Sequence, residues 1–400
     1  MTLLALTLSL ALDCVPAPTP PADAAGVAAV RDRLAATAAE CLDAELRALA
    51  RPDGLPVVRG DSALLVWTGD AESVAVAGDW TGWRPVALEP HHGLPLWTLA
   101  IALPRAARVD YKLVVDGDWV LDPRNPRRQW GGGGPNSELQ MPGWRPEPTT
   151  RRRPSTPTGT LSLPDTLVAS SLGEPVVVRV YTPARRAGLL PVVYVTDGHE
   201  YADDRLGALV TVMDEGIATG QIPPAAVVFI DPRWAGDNRR ERHLVQNPAF
   251  AAWLAQDLVP WASAWLADRG LAARPDRDGR VILGTSLGGL FAAYLATEQP
   301  ETFGRLAIQS PAYWVSEPNE RLRWTGSSIW DRVAALPRGS LTVYQSTGTI
   351  RDTAPEARRM LAVLQAGDHP HLAAEVPEGH SWGAWRAQLA DALGYLLPAP

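Results

Sequence analysis

Apolar positions follow three regimes along the chain. Between 26 and 50, Val27, Val30, Leu34, Ala38, Cys41, Leu42, Leu46 and Leu49 recur at helical spacing, and Arg51-Pro52-Asp53-Gly54 closes the stretch. From about 60 to 143 the apolar runs are short and broken by turn residues. Ala63 to Trp67, Ser73 to Ala77, Leu96 to Leu103 and Arg108 to Val115 read as strands, with Asp116-Gly117-Asp118 as a hairpin turn. This pattern predicts a small β-sandwich. Beyond 160, apolar strands alternate with helical segments. Val176 to Tyr181, Leu190 to Val195, Ala225 to Ile230, Val281 to Leu283, Arg305 to Ser310, Ser340 to Tyr344 and Leu372 to Val376 are the strands. Helices are expected over Phe250 to Arg269, Pro355 to Gln365 and Trp382 to Leu396. Such alternation means a parallel α/β sheet.

The resulting plan is a leader-like segment over 1–25, a helix plus sandwich over 26–143, a Pro/Thr/Arg-rich linker over 144–160, and an α/β domain over 161–400. Leu3 to Leu12 has the length of a signal h-region but no basic residue before it. Export, to a periplasm or medium, is the expectation. Net charge of −7 argues against a nucleic-acid binder, and Arg151-Arg152-Arg153 reads as a solvated basic run in the linker. No internal apolar run reaches the ~18 residues of a membrane span. Cys14 and Cys41 allow at most one disulfide, and His369-Pro370-His371 reads as a surface turn. No metal or cofactor is expected.

The chemistry concentrates at Gly284-Thr-Ser-Leu-Gly-Gly289, between the apolar run Val281–Leu283 and a helix-like run from Leu290. This is a G-x-S-x-G nucleophile elbow in strand–turn–helix context. A serine hydroxyl needs a base, and the base needs an orienting carboxylate, in the chain order Ser, acid, His. His380, in the loop after the last strand, is the candidate base for Ser286. Asp352, after the strand ending near Tyr344, is the candidate acid, with Glu356 as rival. An oxyanion would take the N–H of Leu287 and one from the turn at Gly198 or His199. Trp314, Trp382 and Trp385 flank the site as candidate walls for a planar acyl group, or as core. Arg239, Arg240 and Arg242 form a basic cluster that would attract an anionic substrate.

Two resemblances sharpen this. "VAVAGDWTGWRPVALE", "YKLVVDGDWVLDP" and "GGPNSEL" resemble the immunoglobulin-like domain found before glycogen-branching and isoamylase enzymes, and the N-terminal domain of enterochelin esterases is similar. That resemblance implies a possible glycan partner, with Trp80, Trp83 and Trp119 as stacking candidates or as core. "VYVTDGHEY", "NRRERHLVQNPAFAAWLAQDLVPW", "VILGTSLGGLFAAYLATEQPETFGRLAIQSPAYW" and "EGHSWGAWR" resemble the esterase D family, most closely enterochelin esterases. The resemblance implies a serine, acid and histidine at Ser286, Asp352 and His380 that hydrolyse the esters of a catecholate siderophore, bound as a small molecule and carrying ferric iron in its loaded form. The chain departs from the family at Arg242-His243-Leu244, where an Arg-Glu-Leu triplet is usual, and in a longer acid loop. The expected function is therefore a serine esterase for aromatic-acyl esters. The alternatives are a carbohydrate esterase of feruloyl or acetylxylan type, and a non-catalytic carbohydrate-binding protein.

Overall fold

The computed structural model describes residue 14 and residues 26–49, 54–169, 171–185, 188–317 and 326–398. The leader-like segment, Cys14 apart, lies outside the described residues. The chain divides into two compact units, one of residues 1–128 and 136–144, the other of residues 129–135 and 145–400.

The first unit opens with two short helices, Val27–Ala35 and Leu42–Leu49, where the spacing predicts one. The break falls at Thr37, whose hydroxyl bonds back to Arg33 O at 2.9 Å while its N–H turns to Leu34 O. Such local side-chain bonding competes with helix propagation. Cys41, in the turn between the helices, is disulfide-bonded to Cys14.

Two antiparallel sheets follow. One contains Val57–Arg59, Ser62–Thr68, Leu96–Ala102 and Glu89–Pro90. The other includes Val86–Ala87, Val74–Gly78, Arg108–Val115, Asp118–Val120 and the part of Gly134–Gln140 that belongs to this unit. Ala63 to Val66 are all buried, so that strand is covered on both faces. Leu64 and Val66 pack with Val30, Leu34, Leu42 and Leu46 of the helices, and alternation turns Ala63 and Leu65 the other way.

The second unit holds a nine-stranded sheet. From one edge the order is Thr160–Leu161 and Asp165–Ala169 on Glu174–Thr182, then Ala226–Asp231, Val192–Val195, Arg280–Thr285, Arg305–Gln309, Thr342–Gly348 and His371–Val376. The last six run parallel. Parallel strands buried on both faces read as continuous apolar runs. Thus Ile282 and Tyr194 point into a core with Phe250, Trp253 and Phe291, while Val281, Leu283, Val193 and Val195 point into a second core with Tyr201, Val212 and Leu393.

The segment read as a linker is instead fastened to the second unit from Arg145 on. Arg152 Nη1 lies 2.8 Å from Asp214 Oδ2, and Arg153 donates to Glu215 through its backbone N (2.7 Å) and Nε (2.6 Å). Asp214 also accepts from Gly159 N and Tyr181 OH. Both carboxylates are buried and require such donors. The basic run is therefore paired, at Arg152 and Arg153, with carboxylates that the sequence placed 62 residues away.

Candidate active site

The strand Arg280–Thr285 delivers Ser286, and the helix Leu287–Glu298 leaves it. Ser286 has φ 56° and ψ −116°, a conformation that L-residues adopt only under constraint. The constraint is local. Ser286 N donates to Gln309 O at 2.9 Å, and Ser286 O accepts from Ala312 N at 2.9 Å and Leu290 N at 3.1 Å. The flanking glycines are required by close approach. A Cβ on Gly284 would collide with the carbonyl of Gly288, and a Cβ on Gly288 with the Thr196 hydroxyl.

The register brings the other groups to the same sheet edge. Thr285 is level with Gln309, Gln309 with Ser346, and Gly348 with Val376, so the loops that follow these strands emerge together. His380 Nδ1 lies 2.7 Å from Asp352 Oδ1. His380 is partly exposed, whereas the Asp352 side chain is fully covered. Asp352 Oδ2 accepts from Gly348 N at 2.7 Å and from the Ser310 hydroxyl at 2.5 Å. Burial pushes this carboxyl up, but the hydrogen bond and charge of His380, with the Ser310 and Gly348 donors, hold it below the ordinary aspartate value of 3.8. Glu356 falls in the first turn of the helix Ala354–Ala366, so the carboxylate that meets His380 is Asp352.

Leu287 is the first residue of the elbow helix, ahead of the bond from Leu290 N, so its N–H points out of the helix start. Gly198 and His199 begin the short helix Gly198–Tyr201 after the strand Val192–Val195. The side chain of His199 turns to Asp231, with Nδ1 3.2 Å from Oδ1.

The arginine cluster differs from expectation. Arg240 Nε is 2.8 Å from Asp197 Oδ1 and its Nη2 is 3.4 Å from Thr285 O. It ties the residue before Gly198 to the residue before Ser286, and is not an open cation. Arg239 is buried against Pro175 O and Glu174. Arg242, more exposed, pairs with Glu174 at 2.7 Å. Glu174 also takes His243 Nε2 at 2.6 Å, and the His243 ring stacks on Phe250. His243 is thus turned inward to a carboxylate on the strand Glu174–Thr182.

Of the aromatic candidates, Trp314 is 46% exposed, two residues past Ala312, whose N–H binds Ser286 O. Trp382 is only 4% exposed, edge-on to Tyr201 and Trp385 at 4.9 and 5.0 Å. It is core rather than wall, because the helix Trp382–Ala387 packs into the second core. Ser310 belongs to no motif of its own. Its one signal is its place at the end of a strand beside the elbow strand. Among the described residues no group of three His, Cys, Asp or Glu is placed to hold a metal ion, and no helix is long and apolar enough to cross a membrane.

In the first unit, Trp83 and Trp119 are stacked, with centroids 6.4 Å apart and planes 19° apart, and Trp119 is 47% exposed. Asp79 holds Trp83 through Nε1 at 3.1 Å. Trp80 instead packs on the buried Tyr111.

A parallel sheet with a strained serine at a strand–helix elbow, and a histidine–aspartate pair at the same edge, defines an α/β hydrolase. Residues 169–396 match the family described as "Putative esterase", and the chain belongs to that family. Residues 62–137 match a second family, the glycogen recognition site of AMP-activated protein kinase. Among curated proteins, an iron(III) enterobactin esterase of Dickeya dadantii is 28% identical over 235 residues, which are 54% of this chain and 48% of that one. An iron(III) salmochelin esterase of Escherichia coli is 28% identical over 227 residues, 55% of this chain and 54% of that one. The chain thus spans about half the length of these curated relatives. A solved ferric enterobactin esterase from Salmonella typhimurium superposes with a TM-score of 0.72 at 21% identity, covering 88% of this chain and 98% of that one. An enterobactin esterase from Shigella flexneri gives 0.68 at 22%, covering 84% and 92%. These two likenesses establish the fold.

Proposed function

We propose that the chain is a serine carboxylic-ester hydrolase acting on aromatic-acyl esters, foremost those of a catecholate siderophore. The observation that carries the chemistry is the strained Ser286 at a helix start, sharing a sheet edge with the 2.7 Å His380–Asp352 pair. The names of the curated relatives support the substrate class. In this reading Ser286 Oγ attacks the ester carbonyl carbon while its proton passes to His380 Nε2. Asp352 keeps the other proton on Nδ1. The N–H groups of Leu287 and of Gly198 or His199 receive the oxyanion. Collapse breaks the bond to the leaving alcohol, which takes the proton from His380. Water then repeats the sequence on the acyl-enzyme. Exposed Trp314 offers one apolar face for the acyl ring.

The test is an ester panel with purified protein: ferric and iron-free tricatecholate lactones, methyl ferulate and p-nitrophenyl acetate. The tricatecholate lactones should give the highest kcat/KM. Preference for methyl ferulate would move the reading to a carbohydrate esterase, and no turnover of any ester would overturn it.

A second reading concerns the first unit. The exposed Trp119–Trp83 stack supports binding of a glycan, because a pyranose face is apolar and lies flat on an indole. Retention on glycogen or amylose beads should fall at least about tenfold for Trp119→Ala, as for a buried aromatic anchor. Equal retention of both proteins, or none of the wild type, would remove the glycan role.

A further inference from the structure

We infer that Ser310 and Trp385 form a positioning pair that fixes the rotamer and charge of Asp352, so that one carboxylate oxygen is reserved for His380. The inference rests on the esterase reading above and goes beyond the triad.

The direction of the hydrogen-bond chain follows from donor inventory. Trp385 Nε1 lies 2.8 Å from Ser310 Oγ, and an indole nitrogen only donates. Ser310 Oγ therefore accepts there, and its single hydrogen is free for Asp352 Oδ2, 2.5 Å away. Gly348 N supplies a second donor to the same oxygen. Oδ1 is left facing His380 Nδ1. An ionised carboxylate accepts but does not donate, so the hydrogen on that bond belongs to Nδ1. Nε2 is then the lone-pair nitrogen that a general base needs. A chain that starts at an indole thus sets the tautomer of a histidine five residues earlier in sequence.

Both members of the pair are themselves locked. Ser310 is 1% exposed, has φ 40°, and donates its N–H to Ser346 O at 2.7 Å. A non-glycine residue in that region is held by its surroundings. Trp385 is 7% exposed, and its carbonyl accepts from Gln309 Nε2 at 2.7 Å. Adjacent residues 309 and 310 thereby hold the backbone and the indole of Trp385. Its ring also stands edge-on to His380 at 4.8 Å and 89°. One indole therefore limits the motion of the base and orients the hydroxyl that holds the acid. In an interior of low dielectric, a hydroxyl on a buried carboxylate is a strong restraint.

The experiment measures hydrolysis of p-nitrophenyl acetate by Ser310→Ala, Trp385→Phe, Asp352→Asn and Ser286→Ala, and by each of the first two combined with Asp352→Asn. Trp385→Phe keeps an aromatic ring in the core and removes the donor together with part of the indole's volume, a packing change that the Asp352→Asn background separates from loss of the donor. Each single positioning variant should lose about 10- to 100-fold in kcat, the effect of one hydrogen bond to a charged group, with KM little changed. In the Asp352→Asn background the same substitutions should cost almost nothing further, because the carboxylate they act through is gone. A role in packing alone would cost the same in both backgrounds. Ser310→Thr, which keeps the hydroxyl, should recover most of the loss. Wild-type kcat in both Ser310→Ala and Trp385→Phe, or full additivity with Asp352→Asn, overturns the proposal. If Ser310→Ala loses its cooperative thermal transition, Trp385→Phe decides alone by the same criteria. Turnover that survives Ser286→Ala would instead overturn the esterase reading, and the proposal with it.

Discussion

Ser286→Ala is expected to abolish ester hydrolysis, with kcat down on the order of 10⁴–10⁶-fold, while the protein stays folded. The fold is spared because the elbow is held by backbone groups. Ser286 N to Gln309 O, and Ala312 N and Leu290 N to Ser286 O, survive removal of Oγ. Alanine at φ 56° bears the same kind of steric strain as serine, so the substitution adds little to it. The change of thermal midpoint should be within a few degrees, about what ~1 kcal/mol gives in a small domain. Activity is lost because neither oxyanion donor nor histidine supplies a nucleophile. Any turnover left over water is then expected from the N–H groups of Leu287 and the Gly198 turn, the proposed oxyanion donors, which the substitution leaves in place. Labelling by a fluorophosphonate should vanish in parallel. Near-wild-type kcat with Ser286→Ala would show that another residue attacks.

The parts of this site that were legible in the sequence are those fixed by local geometry. A strand, a G-x-S-x-G turn and a helix determine each other over about ten residues, so Ser286 and the N–H of Leu287 could be placed from spacing. His380 and Asp352 could be placed because loops after parallel strands all leave at one edge. What stayed hidden was decided by partners far along the chain. Arg240 reads as a free cation until Asp197, 43 residues earlier, is found against it. Arg242 and His243 likewise meet Glu174, 68 and 69 residues away. Arg152 and Arg153 look like linker until Asp214 and Glu215 arrive as buried carboxylates that need donors. Charge on a loop says that a residue can pair, but not with what. The same holds for indoles. Trp314 and Trp382 are equal candidates by position, and only the packing of the helix Trp382–Ala387 sends one inward. Ser310 is a small polar residue among many, and its role comes from Asp352 and Trp385, 42 and 75 residues on.

Asp352→Asn should cost on the order of 10⁴ in kcat, and Glu356→Gln should be nearly silent. The expected loss from an isosteric change follows from the donors around the carboxylate. Asp352 Oδ2 faces three donors, the Gly348 N–H and the Ser310 hydroxyl close by and the Thr347 hydroxyl at 3.4 Å. An asparagine must put its carbonyl oxygen there, since its NH₂ would oppose the N–H of Gly348. The NH₂ group is then directed at His380 Nδ1, which must accept. The ring proton moves to Nε2, and the atom that should take the Ser286 proton already carries one. Stability should respond to pH in a definite sense. The Asp352 carboxyl is held below 3.8, so the folded state gains from its charge above that value and loses the gain as pH falls through the depressed one. The contribution of the Asp352 charge to the unfolding free energy, absent in Asp352→Asn, should therefore be lost to the wild type as pH falls below the ordinary carboxylate range. Denaturant titrations at pH 7, 5 and 3 measure this, and kcat with p-nitrophenyl acetate measures the rest. Retained activity in Asp352→Asn together with a dead Glu356→Gln would transfer the acid's role one helical turn along the chain, and the 2.7 Å pair with His380 would then be a contact without a part in turnover.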